Sequence, residues 1–175
     1  MLDIDFKILD FIRENLNSSF GDFIMPLISA LGNGGAIWII LNVVLLIMPK
    51  TRKYGFVMAV SLLLNLLVCN IILKPVIART RPFIINAEIE LLVSPPHDYS
   101  FPSGDTSASF AATSSLCFSR KKLCISALVL SVLIAFSRLY LYVHFPTDVL
   151  AGVILGIASG YVSNKIIYKY RNNGA

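Results

Sequence analysis

Between Ser137 and Asp148 the chain reads SRLYLYVHFPTD, which sets a serine–arginine pair, a histidine and an aspartate at fixed spacing where one apolar run ends and another begins. Pro146 suits the first turn of a helix, where its missing N–H costs nothing. His144 is therefore expected just before that helix and Asp148 one turn inside it. From there the carboxylate reaches back to one imidazole nitrogen and holds the tautomer, leaving the other nitrogen to attack or to accept a proton. Two more stretches carry complementary groups. KPVIARTRPF supplies Lys74, Arg79 and Arg81 at the end of an apolar run. Lys74 and Arg81 lie two helical turns apart, so a helix extended through them presents both on one side. Arginine offers a fork and lysine a point charge, a pair that suits a phosphate. SFPSGDTSASF leads into a further apolar helix. Ser103, Gly104 and the free N–H groups of the first turn converge where the helix dipole favours an anion, and the same residues serve as a cap. Lys74, Arg79, Arg81 and Arg138 for charge, Ser103 and Gly104 for donors, and His144 backed by Asp148 for attack describe phosphoryl transfer. Such a site needs no metal, because fixed cations neutralise the equatorial oxygens.

The elements that must position these groups lie in a membrane. Of 175 residues, 56% are hydrophobic and 14% charged, too apolar for a soluble domain. The chain reads as one all-α integral membrane domain, residues 1–175. Residues 4–17 show a helical period with a polar face and predict an interfacial helix within 1–19. No removable signal peptide is expected from so amphipathic and acid-bearing a start. Residues 20–31 are apolar but short, with Pro26 inside, and either cross the bilayer as a kinked span or dip into it. Further helices are expected over 36–48, 57–73, 106–118, 123–136 and 149–167, making five or six spans. Gly152, Gly156 and Gly160 form a small-residue stripe, and SASFAATSS is small on every side, so both helices are expected in tight contact. Cys69, Cys117 and Cys124 fall in or beside apolar runs without metal-ligand spacing and are most simply reduced packing residues.

The loops set orientation. Lys50, Arg52 and Lys53, then Arg120, Lys121 and Lys122, then Lys165, Lys169 and Arg171 form clusters without acids on one face, which the positive-inside rule makes cytoplasmic. The net charge of +5 thus reflects topology and predicts no nucleic-acid partner. The loop 74–104 and the turn 142–147 fall on the extracytoplasmic face of the plasma membrane, together with all three constellations. Ionisable residues clustered at one border argue against a transporter or channel.

In sum, Lys74-x6-Arg81-Pro82, Pro102-Ser103-Gly104 and Ser137-Arg138-x5-His144-x3-Asp148 resemble the three-part signature of the type 2 phosphatidic acid phosphatase superfamily of membrane lipid phosphatases. The resemblance runs from Lys74 to Asp148 in the family's order. It implies that His144 forms a phosphohistidine, that Asp148 orients it, and that Lys74, Arg81, Ser103, Gly104 and Arg138 hold the phosphate, with no cofactor. Arg79 falls in the variable stretch of the first motif and is the lesser candidate.

One position departs. Where the family has a general-acid histidine after Pro-Ser-Gly, this chain has Asp105. Three readings stand: a working acid, a helix cap with protonation from water or made unnecessary by a good leaving group, or a change that slows turnover. His97 is the one other histidine and could stand in for the acid or be an ordinary loop residue. The expected activity is hydrolysis of a lipid phosphomonoester or pyrophosphate, of the phosphatidylglycerol phosphate or undecaprenyl pyrophosphate type. The alternatives are phosphotransfer to an acceptor alcohol and a catalytically impaired lipid-phosphate binding protein. Membrane lipid and bilayer are the expected partners, and the oligomeric state is not legible.

Overall fold

The computed structural model describes residues 2–117 and 121–173, with backbone alone for 121–122 and 168–173. Phe118 and Arg120, and the side chains of Lys121, Lys122, Lys169 and Arg171, lie outside the described residues. Nine α-helices account for the described fold: α1 Leu2–Leu16, α2 Ser19–Gly32, α3 Ala36–Ile47, α4 Arg52–Asn65, α5 Lys74–Ile77, α6 Pro82–Ile85, α7 Gly104–Cys117, α8 Lys121–Tyr140 and α9 Pro146–Asn173. No strand occurs among the described residues.

Four helical runs, Ser19–Ile47, Arg52–Ile85, Leu123–Tyr140 and Pro146–Ile167, are long and apolar enough to cross a membrane. Their outward faces expose Ile40, Leu63, Ile71, Val129 and Ile154, as lipid contact requires. The chain is a multi-pass membrane protein. Helix α7 is shorter and enclosed by the others, with Thr106, Ser107 and every residue from Ser109 to Leu116 buried. Its small side chains let its neighbours approach closely. A β-carbon at Gly152, Gly156 or Gly160 of α9 would come within 2.8, 2.5 and 1.8 Å of Ser103, Ser107 and Ser114 atoms, which is the tight contact the glycine stripe predicts. Crossing polar groups pin α7 on its other sides: Ser61 Oγ donates to the Ala111 carbonyl at 2.8 Å and Trp38 Nε1 to Ser109 Oγ at 2.8 Å.

Helix α2 does not form a separate span. Its first end meets the last residue of α8, where the Ser18 N–H donates to Tyr140 Oη at 3.2 Å. Its far end meets the start of α7, where the Gly34 N–H donates to Asp105 Oδ1 at 3.1 Å. Both contacts lie at the same end of the bundle, so residues 20–31 stay at that end. Gly34 and Gly35 then adopt left-handed φ of 58° and 73°, which breaks the helix between α2 and α3.

Two other sequence expectations are corrected. The run through Lys74 does not continue as one helix to Arg81. Ahead of Pro75, which lacks an N–H, the chain widens into π-helical turns over Leu66–Leu73, with the Lys74 N–H bonded to the Cys69 carbonyl. Helix α5 then ends at Ala78 with φ of 47°, and Arg81 lies beyond it in extended backbone. Cys117 and Cys124, expected to be reduced, form a disulfide, because the short connection between antiparallel α7 and α8 brings their ends together. Cys69 is unpaired and buried.

Because no space exists for a methyl group between α9 and α7, Gly156→Ala is expected to lower stability by about 1–3 kcal/mol. The check is the thermal midpoint of the detergent-solubilised protein, and an unchanged midpoint would show that the two helices separate without cost.

Candidate active site

The turn between α8 and α9 carries His144, 2% exposed, and α9 opens at Pro146 so that Asp148 sits in its first turn. Asp148 Oδ2 accepts the Phe145 N–H at 2.9 Å and the Ser100 hydroxyl, and stands 3.6 Å from His144 Nδ1. The carboxylate therefore caps its own helix while facing the imidazole. At 3.6 Å the His–Asp contact is longer than a hydrogen bond, and His144 Nδ1 has no hydrogen-bond partner among the described residues. Catalytic contacts of this kind commonly tighten once substrate is bound. The other nitrogen, Nε2, lies 3.2 Å from Arg81 Nη1. Burial pushes the His144 pKa down to about 3, with Arg81 and Arg138 adding to the effect and Asp148 opposing it, so the ring is neutral near pH 7.

Arg81 is held without a helix to carry it. Its Nε donates to the Asp98 carbonyl at 2.8 Å and its Nη1 to the Val143 carbonyl at 2.7 Å, which ties the loop before α7 to the turn that carries His144. Asp98 bridges the two motif cations, pairing with both Lys74 Nζ and Arg81 Nη2. Partial burial pushes the Asp98 carboxyl up, but Lys74 and Arg81 outweigh it and hold it at about 2. A depressed carboxyl stabilises the fold above its unfolded value near 3.9, and that contribution is lost as pH falls toward 2. These ion pairs therefore persist throughout the neutral range. Arg138 donates to Ser29 Oγ and stands 3.4 Å from Asp105 Oδ2. Its Nε has no partner among the described residues.

A cavity of about 990 Å3 joins these groups. Lys74, Arg81, Gly104, Asp105, Arg138 and His144 line its polar end together with His97 and Asp98, and Ile39, Leu62, Leu63 and Leu66 line its apolar end. The sequence-expected residues divide accordingly. Lys74, Arg81, Gly104, Asp105, Arg138 and His144 meet around one space. Ser103 does not line it: its hydroxyl pairs with Thr106 Oγ1 at 2.8 Å and its N–H donates to the Asp148 carbonyl at 3.1 Å. Ser103 thus joins the start of α7 to the start of α9 instead of offering its hydroxyl to the cavity. Asp148 stands behind the histidine. Asp98, Ser100 and Ser29 were missed, because nothing in a loop's local pattern marks which of its acids or hydroxyls will meet a distant cation.

The family model for the PAP2 superfamily matches residues 52–172, most of the chain and every constellation described above. This chain belongs to the PAP2 superfamily. An undecaprenyl-diphosphatase from Sulfolobus acidocaldarius is 37% identical over 131 residues, a match that takes in 74% of this chain and 63% of that protein. The chain thus spans less than two thirds of that relative's length. The crystal structure of LpxE from Aquifex aeolicus superposes with a TM-score of 0.80 at 26% identity, covering 93% of this chain and 95% of that one. The PAP2-type phosphatidylglycerolphosphate phosphatase of Bacillus subtilis gives 0.77 at 26% identity, covering 96% and 86%.

The cations Lys74 and Arg81 are bridged by Asp98. Removing that charge should free Lys74 and Arg81 for an incoming anion. Asp98→Asn is expected to strengthen inhibition by inorganic phosphate roughly three- to tenfold, the range that half-exposed ion pairs support. An unchanged inhibition constant would mean that Asp98 does not compete for the site.

Proposed function

We propose that this protein hydrolyses a lipid diphosphate by way of a phosphohistidine on His144. The observation that carries the reading is the convergence of Lys74, Arg81, Arg138 and a buried His144 on one cavity with an apolar extension. The diphosphate head fits the cationic end, and the lipid chain fits between α3 and α4. His144 Nε2 attacks the terminal phosphorus and the bridging P–O bond breaks. The lipid monophosphate leaves with the electron pair. Lys74, Arg81 and Arg138 neutralise the charge on the transferring phosphoryl oxygens. Asp148 compensates the positive charge that the imidazole gains. Water then attacks the phosphohistidine, releasing inorganic phosphate and restoring the ring.

Asp105 favours a diphosphate over a monoester. One carboxylate oxygen accepts the Gly34 N–H and the other pairs with Arg138, so Asp105 works as an acceptor that orients Arg138. In this reading it is not the proton donor. A phosphate leaving group needs little protonation, whereas a lipid alcohol needs an acid. The relative named as an undecaprenyl-diphosphatase supports the same choice. The three basic clusters, expected on the opposite face, support a cup on the extracytoplasmic side of the plasma membrane by the positive-inside rule.

His144→Ala is expected to abolish phosphate release while leaving the thermal midpoint unchanged, and EDTA is expected to leave the rate unchanged. Retained turnover in the variant removes the nucleophile assignment, and a loss with EDTA points to a metal mechanism. Asp105→His is expected to raise monoester hydrolysis relative to diphosphate hydrolysis, by up to the ~10²- to 10⁴-fold that a general acid contributes. Assay of both substrates in detergent reads this ratio, and an unaltered ratio would exclude the leaving-group argument.

A further inference from the structure

Arg79 is a cation at the site that does not line the cavity. Its Nη1 donates to Asp148 Oδ1 at 2.5 Å and to Thr147 Oγ1 at 2.7 Å, and its Nη2 to Asp5 Oδ2 at 2.7 Å. The guanidinium lies over the Phe145 ring, 4.0 Å from its centroid. Asp5 comes from α1, at the other end of the sequence, and is 1% exposed. It also accepts the Thr147 N–H at 3.1 Å and the Thr147 hydroxyl at 2.7 Å. Phe6 meets Phe145 edge-on at 5.2 Å, and Leu9 packs with Phe145 and Tyr142. Helix α1 therefore grips the two residues on either side of Pro146, between the histidine and its aspartate.

A helix that served only as an interfacial cover would gain nothing from a buried carboxylate, since an apolar contact of similar size costs less. The charge has a consequence at the histidine. Asp148 and Arg79 alone sum to zero, which would leave the imidazole facing a neutral pair as it becomes positive. With Asp5 the group of three carries a net negative charge. The planar guanidinium also fixes the Asp148 carboxylate through Oδ1, while the Phe145 N–H and Ser100 fix Oδ2. The charged groups facing His144 are then Asp148 on one side and Arg81 and Arg138 on the other, with Asp98 behind Arg81.

We propose that Asp5 and Arg79 are positioning residues for the reaction: α1 supplies a carboxylate that locks Arg79 onto Asp148 and so holds the charge and orientation of the His144 partner. This rests on the proposed role of His144 as nucleophile. Neither residue touches the phosphate, so the effect belongs in the chemical step and not in substrate binding.

The test compares Asp5→Asn, Arg79→Gln and Arg79→Lys with Asp3→Asn, an exposed change on the same helix, and with His144→Ala. Each is purified in detergent and assayed on a lipid diphosphate, with thermal midpoints measured alongside. Asp5→Asn and Arg79→Gln are expected to lower kcat roughly 10- to 100-fold, as loss of a supporting hydrogen-bond partner does, with KM within about twofold. Arg79→Lys should recover part of the loss, and Asp3→Asn should match the parent. Orthovanadate, which bonds to an attacking imidazole, should inhibit the two impaired variants about tenfold less well, while inorganic phosphate, which needs only the cations, inhibits them as before. A kcat equal to the parent's in Asp5→Asn, with His144→Ala inactive, overturns this proposal alone. So does a lowered thermal midpoint with kcat intact, which makes the contact purely structural. Turnover retained in His144→Ala removes the nucleophile reading and this proposal with it. If Asp5→Asn fails to fold, Asp5→Glu, which keeps the charge but displaces it, carries the same kcat expectation.

Discussion

Burying several cations at the border of an apolar bundle is the constraint that organises this protein. A guanidinium or ammonium group withdrawn from water is tolerated only when carboxylates and hydrogen bonds compensate it. Each cation near His144 has such a partner: Asp98 for Lys74 and Arg81, Asp105 for Arg138, and Asp148 with Asp5 for Arg79. The compensating acids come from α1, from the loop before α7 and from the starts of α7 and α9. Charge balance therefore welds four separate pieces of chain at one end of the bundle.

The packing of the helices serves that weld. Helix α7 can occupy the centre because its side chains are small and its hydroxyls find carbonyls, their own or a neighbour's, as Ser115 does with Ala112 and Ser114 with Gly156. Polar side chains inside an apolar bundle are affordable only when satisfied in this way. The close approach of α9 along its glycines brings the first turns of α7 and α9 side by side, and the Ser103 N–H joins them through the Asp148 carbonyl. A wider helix pair would separate the start of α7 from the histidine turn. The glycines are thus remote from the chemistry yet set its geometry.

The three chemical stretches were legible because each is local: a histidine, a proline and an aspartate within five residues, a lysine and an arginine two turns apart, and a Pro-Ser-Gly before a helix. Helix existence was legible for the same reason, since long apolar runs declare themselves. Failures arose where a local pattern had two outcomes. The run around Pro26 could cross or dip, and only contacts at both of its ends, with Tyr140 and Asp105, put it on one side. Lys74 and Arg81 do come together, but by a chain reversal at Ala78 and not by helical periodicity. Ser103 was expected to offer its hydroxyl to an anion, whereas Thr106, one turn on, takes it.

What the sequence determined by itself was the class of protein and the local placement of its motifs, because hydropathy, capping and residue type act over a few neighbouring residues. Tertiary structure alone decided which acid meets which cation. Asp5 and Arg79 stand 74 residues apart and Asp98 meets Lys74 across 24. Only the packed bundle, by removing both partners from water at the same place, makes those pairings favourable.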